Sequence, residues 1–272
     1  MFAYKSCLFT AHQRSDVISK VGTGTSLATY IIQGILLLLF KNYYLFVIIN
    51  PIATVVNNII ISNLAEKTYP EYFAEGVLSD NVKKDISRKI SSLFLYKVGG
   101  VVLSSVDTIV ISSFLGLTIL GKYNNYYYII TTLFGFLEVF YSSMTAGIGN
   151  SIKIDTKEKN KHDFDRLVIV NGWIIGWSTV CLVCLYQPFM YLWVGTEMMF
   201  SNQLVILLAV LFFSWKMMDI VNLYKTAAGL WEYDKWRQVV GSGINLLLNL
   251  VLVHYIGIYG IVLSTVVAII AI

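Results

Sequence analysis

The chain is expected to fold as an all-α, polytopic transmembrane helix bundle, and three observations predict this. Of its 272 residues, 57% are hydrophobic and only 13% are charged, about half the charged share of a soluble domain. Mean hydropathy is +0.68, which means more apolar surface than a water-soluble core of this size can hide. The apolar residues also fall into runs of about 20, the length that crosses a bilayer as a helix. Hydropathy windows mark eight spans, at 21–40, 43–64, 91–115, 126–152, 167–186, 203–224, 236–255 and 258–272. The opening MFAYKSCLFTAHQRSDVISK is basic, mixed and interfacial in character, and no cleaved signal is expected in it.

Taken in order, the first span carries Gln33. The second carries Asn50, Asn57, Asn58 and Pro51, which is expected to kink it. The charged stretch from Glu66 to Lys89 is the longest interruption and reads as a hinge between two groups of helices. Within it, SDNVKKDISRKI fits either an amphipathic surface helix, with Val82, Ile86 and Ile90 on one side, or a solvated linker.

The third span holds Asp107. This acid lies about 12 Å below the outer end of its span at the helical rise, and a charge at bilayer centre costs about 2.5–3.5 kcal/mol on insertion scales. Its side chain is too short to reach the surface. Helical spacing sets it on a stripe of Lys97, Gly100, Ser104, Asp107 and Ile111. The fourth span carries a longer stripe: Tyr128, Thr131, Gly135, Glu138, Ser142, Thr145 and Gly149. Two readings stand. The acids face a hydrated cavity shared by the two spans, or they are structural acids satisfied by neighbouring donors, with the small residues serving close packing.

The fifth span contains Gly172 and Gly176 as G-x-x-x-G and Cys181 and Cys184 as C-x-x-C. The latter lies in an apolar run without His or carboxylate beside it, so these read as small packing residues. With Cys7 they are too few for a disulfide framework. The sixth span ends in Lys216, Asp219 and Asn222, where an i, i+3 pair fits a gate or an ordinary interfacial ion pair. Asn245 and Asn249 share one face of the seventh span, as helix–helix hydrogen-bonding groups, and His254 sits near its outer end. Of the 18 tyrosines, Tyr43, Tyr44, Tyr123, Tyr126 to Tyr128 and Tyr191 fall at span boundaries, where aromatic belts form. Tyr126 to Tyr128 also fit stacking on sugar rings.

Loop charge alternates with the parity of the spans. One set of loops holds sixteen Lys and Arg, and the opposite set holds only Lys41 and Lys122. The positive-inside rule places the first set in the cytoplasm. There is no G-x-x-x-x-G-K-[ST], H-E-x-x-H, G-x-S-x-G or Cys/His zinc spacing, and no loop is long enough for a catalytic domain. No enzymatic activity, metal or nucleic-acid partner is expected.

Several stretches carry a resemblance. SSVDTIVISSFLGLTILGKYNNYYYI resembles the start of the C-terminal lobe in bacterial polysaccharide-repeat-unit flippases, an acid before an apolar run and a Leu-Gly-x-Tyr-x-x-Tyr. AYKSCLFTAHQRSDVISK is similar to the loop before their fifth helix, and NLYKTAAGLWEYDKW and INLLLNLVLVHYIGIYGIVLSTVVA to the tenth helix onward. These proteins belong to the multidrug/oligosaccharidyl-lipid/polysaccharide exporter superfamily.

The resemblance implies a two-lobed, twelve-helix-type fold with alternating access in the bacterial plasma membrane. The substrate it implies is an undecaprenyl-diphosphate-linked oligosaccharide; membrane lipids and other polysaccharide-assembly proteins are the further partners. On that register the eight spans match helices five to twelve, and the chain reads as a fragment: 1–65 ends the N-terminal lobe, 66–90 links the lobes, and 91–272 is the C-terminal lobe. Lys97 is then expected at the diphosphate. Ser104, Asp107, Thr131, Glu138 and Ser142 are expected at sugar hydroxyls, with the two acids as alternatives for taking up a coupling proton or sodium ion. Lys216, Asp219 and Asn222 are expected at a cytoplasmic gate. Two other classes fit the composition: a cation-coupled multidrug exporter of the same fold, with acids dominating its cavity, and a non-transporting membrane scaffold, with dry polar stripes.

Overall fold

Helices form because a polar backbone in hydrocarbon must satisfy its own N–H and C=O groups. The computed structural model describes residues 5–72 and 79–271; they are helical almost throughout, with no strand among them. Seven helices are long and apolar enough to cross a membrane, and Ile258–Ala271 is a shorter apolar one. The protein is an all-α, multi-pass membrane helix bundle.

The chain divides into two compact units, Met1–Val77 and Leu78–Ile272. In the first, α1 (Ser6–Ala11) precedes α2 (Ser15–Phe40) and α3 (Tyr43–Thr68). The turn between the long helices is short because Lys41 takes a left-handed conformation (φ 50°) and the Asn42 side chain accepts the Tyr44 N–H at 2.9 Å. Gln33 Nε2 donates to Asn50 Oδ1 and to the Phe46 carbonyl, both at 2.9 Å, and Thr25 Oγ1 to Asn57 Oδ1 at 3.0 Å. Phe9 of α1 packs against Ile61 and Ala65. α3 runs through Pro51 as one helix.

The second unit contains α4 (Asp80–Val110), a π-helical turn (Ile111–Leu115), α5 (Leu117–Ile154) and α6 (Lys157–Val194). It continues with α7 (Asn202–Met217), α8 (Asp219–Ala228), α9 (Trp231–Ile256) and α10 (Ile258–Ala271). α4 packs on α9, α9 on α10, α10 on α7, α7 on α6, and α5 on α8. At 38 residues each, α5 and α6 reach about 57 Å at the helical rise, beyond the roughly 30 Å hydrocarbon core, so their ends reach past it or the helices tilt.

Several expectations are corrected or refined. SDNVKKDISRKI is neither a separate surface helix nor a linker: all but its first residue form the first turns of α4. Residues 73–78 of the expected inter-lobe segment lie outside the described residues, as does Ile272. The sixth span, Asn202–Ala228, crosses as expected but is interrupted at one residue, Met218, where α7 gives way to α8. Tyr123 and Tyr126 belong to no belt. They are buried, and Tyr126 accepts the Phe200 N–H at 3.0 Å while donating to Gln187 Oε1 at 2.9 Å. Window reading started this span too late: α5 begins at Leu117, which carries Tyr126 inside.

Of the glycines expected to serve close packing, Gly149 faces the Ala227 carbonyl, 3.4 Å from where a Cβ would stand, but the tightest approaches are at others. A Cβ would meet nothing within 4 Å at Gly100, Gly135 or Gly176. At Gly99 it would stand 2.8 Å from the Gln238 backbone, and at Gly260 2.6 Å from the Leu252 carbonyl. These two fix the α4–α9 and α9–α10 crossings. Gly260→Ala is therefore expected to lower stability by about 1–3 kcal/mol through overpacking, whereas Gly135→Ala is neutral or slightly stabilising; unfolding of the two variants in the same detergent checks this contrast.

Candidate functional site

Three polar clusters lie inside the spans of the second unit. The first surrounds Asp107, which is only 6% exposed. Asn249 Nδ2 donates to its Oδ1 at 2.8 Å and Thr265 Oγ1 to its Oδ2 at 2.7 Å. Asn245 Nδ2 donates to Thr265 Oγ1 at 2.8 Å, Asn249 Nδ2 also reaches Asn245 Oδ1 at 3.1 Å, and Ser264 Oγ donates to Asn249 Oδ1. One acid on α4 is thus held by one amide on α9 and one hydroxyl on α10, each backed by a second polar side chain. Ser264 and Thr265 were not singled out from the sequence; their only signal is a hydroxyl pair inside an otherwise apolar run.

The expected stripe on α4 does not act as a unit. At about 100° per residue, it lies on the flank of the packed face made by Gly99, Leu103, Val106 and Val110. Asp107 falls at the buried edge, and Lys97 and Ser104 at the exposed edge. Ser104 Oγ satisfies itself on the Val101 carbonyl at 3.0 Å. Lys97 makes no ion pair or hydrogen bond among the described residues.

α5 has three faces, roughly 120° apart at the helical angle. One is the core face: Tyr123, Tyr126, Ile130, Leu137, Tyr141 and Ile148. A second is exposed and apolar, including Phe136 and Phe140. The third is exposed and polar: Tyr128, Thr131, Gly135, Glu138 and Ser142. Thr131 and Ser142 return their hydroxyls to the Tyr128 and Val139 carbonyls, at 3.0 and 3.1 Å. Glu138, near the middle of this 38-residue helix, makes no hydrogen bond or ion pair among the described residues.

Glu138 opens onto a cleft of about 150 Å³ between α5 and α8, lined also by Ser142, Thr145, Asp219, Asn222 and Thr226. Beneath it Lys216 Nζ, in the last turn of α7, bonds Asp219 Oδ2, in the first turn of α8, at 2.6 Å. The cation meets the negative end of one helix dipole and the anion the positive end of the next, which stabilises the break at Met218. Lys216 Nζ also stands 4.2 Å from the Phe134 ring centroid. Asn171 completes the layer, donating to the Lys216 carbonyl at 3.2 Å and accepting from Tyr141 Oη at 2.6 Å. Asn222 accepts from Arg237 Nη2 at 2.7 Å.

Glu138 and Ser142, expected in the cavity, and Asp219 and Asn222, expected at a gate, therefore line one cleft. Asp107 does not join them. The two acids occupy different environments because α4 turns its acid toward α9 and α10, whereas α5 keeps its acid on an exposed polar face. Among the described residues of the second unit, Asp107 and Glu138 do not line a common cavity.

These features define a multi-pass membrane helix bundle with a polar, acid-lined cleft within the membrane-spanning part of its second unit. No family model, curated protein or solved structure matches the chain.

The Lys216–Asp219 pair gives a direct check. Either Lys216→Met or Asp219→Leu alone is expected to cost about 3–5 kcal/mol by stranding a buried charge, and the double variant much less than the sum. A double-mutant cycle on unfolding in detergent measures the coupling.

Proposed function

We propose that this protein moves polar, hydroxyl-rich solute across a membrane, and specifically that it flips undecaprenyl-diphosphate-linked oligosaccharide repeat units across the bacterial plasma membrane for surface polysaccharide synthesis. The observation that carries the reading is Glu138: an unpaired carboxylate, midway along a spanning helix, on an exposed polar face. A charge there needs water or a polar ligand. The face offers acceptors and hydroxyls in a row (Thr131, Glu138, Ser142), which is the chemistry that sugar hydroxyls pair with. Lys97, exposed on α4, supplies a cation of the kind a diphosphate needs. The substrate class itself rests on the sequence resemblance.

Asp107 takes the coupling role in this scheme. Its carboxylate is buried and receives the Asn249 amide N–H and the Thr265 hydroxyl, with Asn245 and Ser264 bonded behind them. A carboxylate held this way suits uptake of a proton, while a sodium ion would require the amides to turn their oxygens inward. Loading would neutralise the one acid that ties α4 to both α9 and α10, which links ion uptake to helix packing. Lys216 and Asp219 brace the α7–α8 break behind the cleft.

A second reading, a cation-coupled drug exporter, is favoured by one observation: the cleft is lined by two carboxylates, of which Asp219 is paired with Lys216 and Glu138 is left to meet a cationic solute. Transport separates the two. In vesicles containing the intact protein, Glu138→Gln is expected to slow flipping of a fluorescent lipid-linked oligosaccharide at least about tenfold, the loss of one charge-assisted hydrogen bond set. An unchanged rate removes Glu138 from the substrate path. Efflux of a cationic dye that depends on Glu138, with no oligosaccharide flipping, supports the exporter instead.

A further inference from the structure

A cavity of about 330 Å³ opens at the basic ends of α5, α6 and α8, lined by Gly147, Ile148, Ser151, Asp163, Arg166, Leu167 and Tyr224. It has room for about ten waters at their share of liquid volume, or for a headgroup of similar size. Its lining changes character along one direction. Ile148 and Leu167 belong to the apolar core packing, while Asp163 and Arg166 are charged and at least partly exposed. Arg166 is the last charged residue before the apolar run that begins at Leu167. The cavity therefore straddles the boundary between hydrocarbon and water.

Arg166 has no carboxylate partner and no hydrogen bond among the described residues. Asp163, one turn earlier on α6, makes no hydrogen bond there; the exposed His162 ring lies 3.9 Å from it, and Lys159, one turn earlier on the same helix, interacts with it electrostatically. The two side chains are i, i+3 neighbours and share a face, about 5–6 Å apart at Cβ. A guanidinium and a carboxylate at that spacing, not bonded to each other, match a phosphate and an ammonium joined by a two-carbon link. Tyr224 is held over the site by its edge-to-face contact with Phe164, centroids 5.0 Å apart. Ser151 is already committed to Asp155 and Asn160, at 2.7 and 3.1 Å, so it shapes the wall without supplying the charge. Exposed Lys153, at the end of α5, and Lys157 and Lys161, at the start of α6, add positive charge at the same helix ends, which raises the local concentration of phosphate-bearing lipid.

We propose that this cavity binds the headgroup of an ethanolamine phospholipid, with Arg166 on the phosphate and Asp163 on the ammonium. The acyl chains leave past Ile148 and Leu167 into the bilayer. Bound there, the lipid bridges α5, α6 and α8 at the end of the helices that carry the acid-lined cleft. The assignment is independent of the transported solute.

The test uses the purified protein in mixed micelles with equal amounts of phosphatidylethanolamine and phosphatidylglycerol of identical acyl chains. Retained lipid is counted by native mass spectrometry. The wild-type protein is expected to keep one phosphatidylethanolamine in preference to phosphatidylglycerol. Arg166→Gln should lower retention of both about tenfold, the loss of a charge-assisted contact, and Arg166→Lys should restore part of it. Gly147→Leu, whose added side chain projects from a position with nothing within 4 Å, should lower retention without changing any charge. Asp163→Asn should abolish the preference while leaving phosphatidylglycerol bound. Soluble phosphoethanolamine should not displace the lipid. Equal or greater retention of phosphatidylglycerol by the wild-type protein overturns the ethanolamine assignment. Unchanged retention in both Arg166→Gln and Gly147→Leu overturns the site, and displacement by soluble phosphoethanolamine overturns the requirement for a lipid.

Discussion

A charged or hydrogen-bonding side chain inside hydrocarbon must find either a polar partner or water, and the arrangement of the second unit follows from how each such group meets that requirement. Desolvating an acid is costly enough that it dictates helix orientation. Asp107 meets the requirement with protein donors: Asn249 and Thr265 hold its two oxygens, and Asn245 and Ser264 hold the holders. That network fixes the relative rotation of α4, α9 and α10. The glycines at 99 and 260 let those helices approach closely enough for the bonds to form. Lys216 and Asp219 meet it with each other, across a helix break whose dipoles favour both charges.

Glu138 meets it in neither way. It lies on a helix whose other two faces are fully assigned, one to the core and one to exposed Phe and Val side chains. The polar face between them carries hydroxyls bonded to their own backbone carbonyls, which lowers their cost without fixing them to any neighbouring helix. Such a face is suited to ligands that come and go. Together with the cleft shared by Asp219, Asn222 and Thr226, it is the part of the molecule most readily understood as a solute path, and the buried Asp107 cluster as an element that a small cation could switch.

Fold class and span positions were legible in the sequence because hydropathy over about 19 residues is a local property. The residues that matter could also be picked out by the same physics: Asp107, Glu138, Lys216, Asp219, Asn245 and Asn249 all stand out as polar groups in apolar runs. Their grouping was not legible. Helical spacing places Asp107 and Lys97 on one stripe, but it cannot say that the packed face begins partway across it. Nor could spacing show that Glu138 and Asp219, 81 positions apart, line one cleft, since that depends on α5 packing against α8. Tyr126 was misplaced for a related reason: an aromatic near an apparent boundary reads as a belt residue until its hydrogen bonds to Gln187 and Phe200 are seen.

The central claim is that the polar face of α5 meets water within the membrane. It is tested most directly by thiol labelling in membranes, on a background with Cys7, Cys181 and Cys184 replaced. Single cysteines at Thr131 and Ser142 are expected to react with a polar, membrane-impermeant maleimide, while cysteines at Phe136 and Phe140 on the apolar face stay unmodified. Equal silence at all four positions would mean that the polar face is packed dry, and would contradict the account.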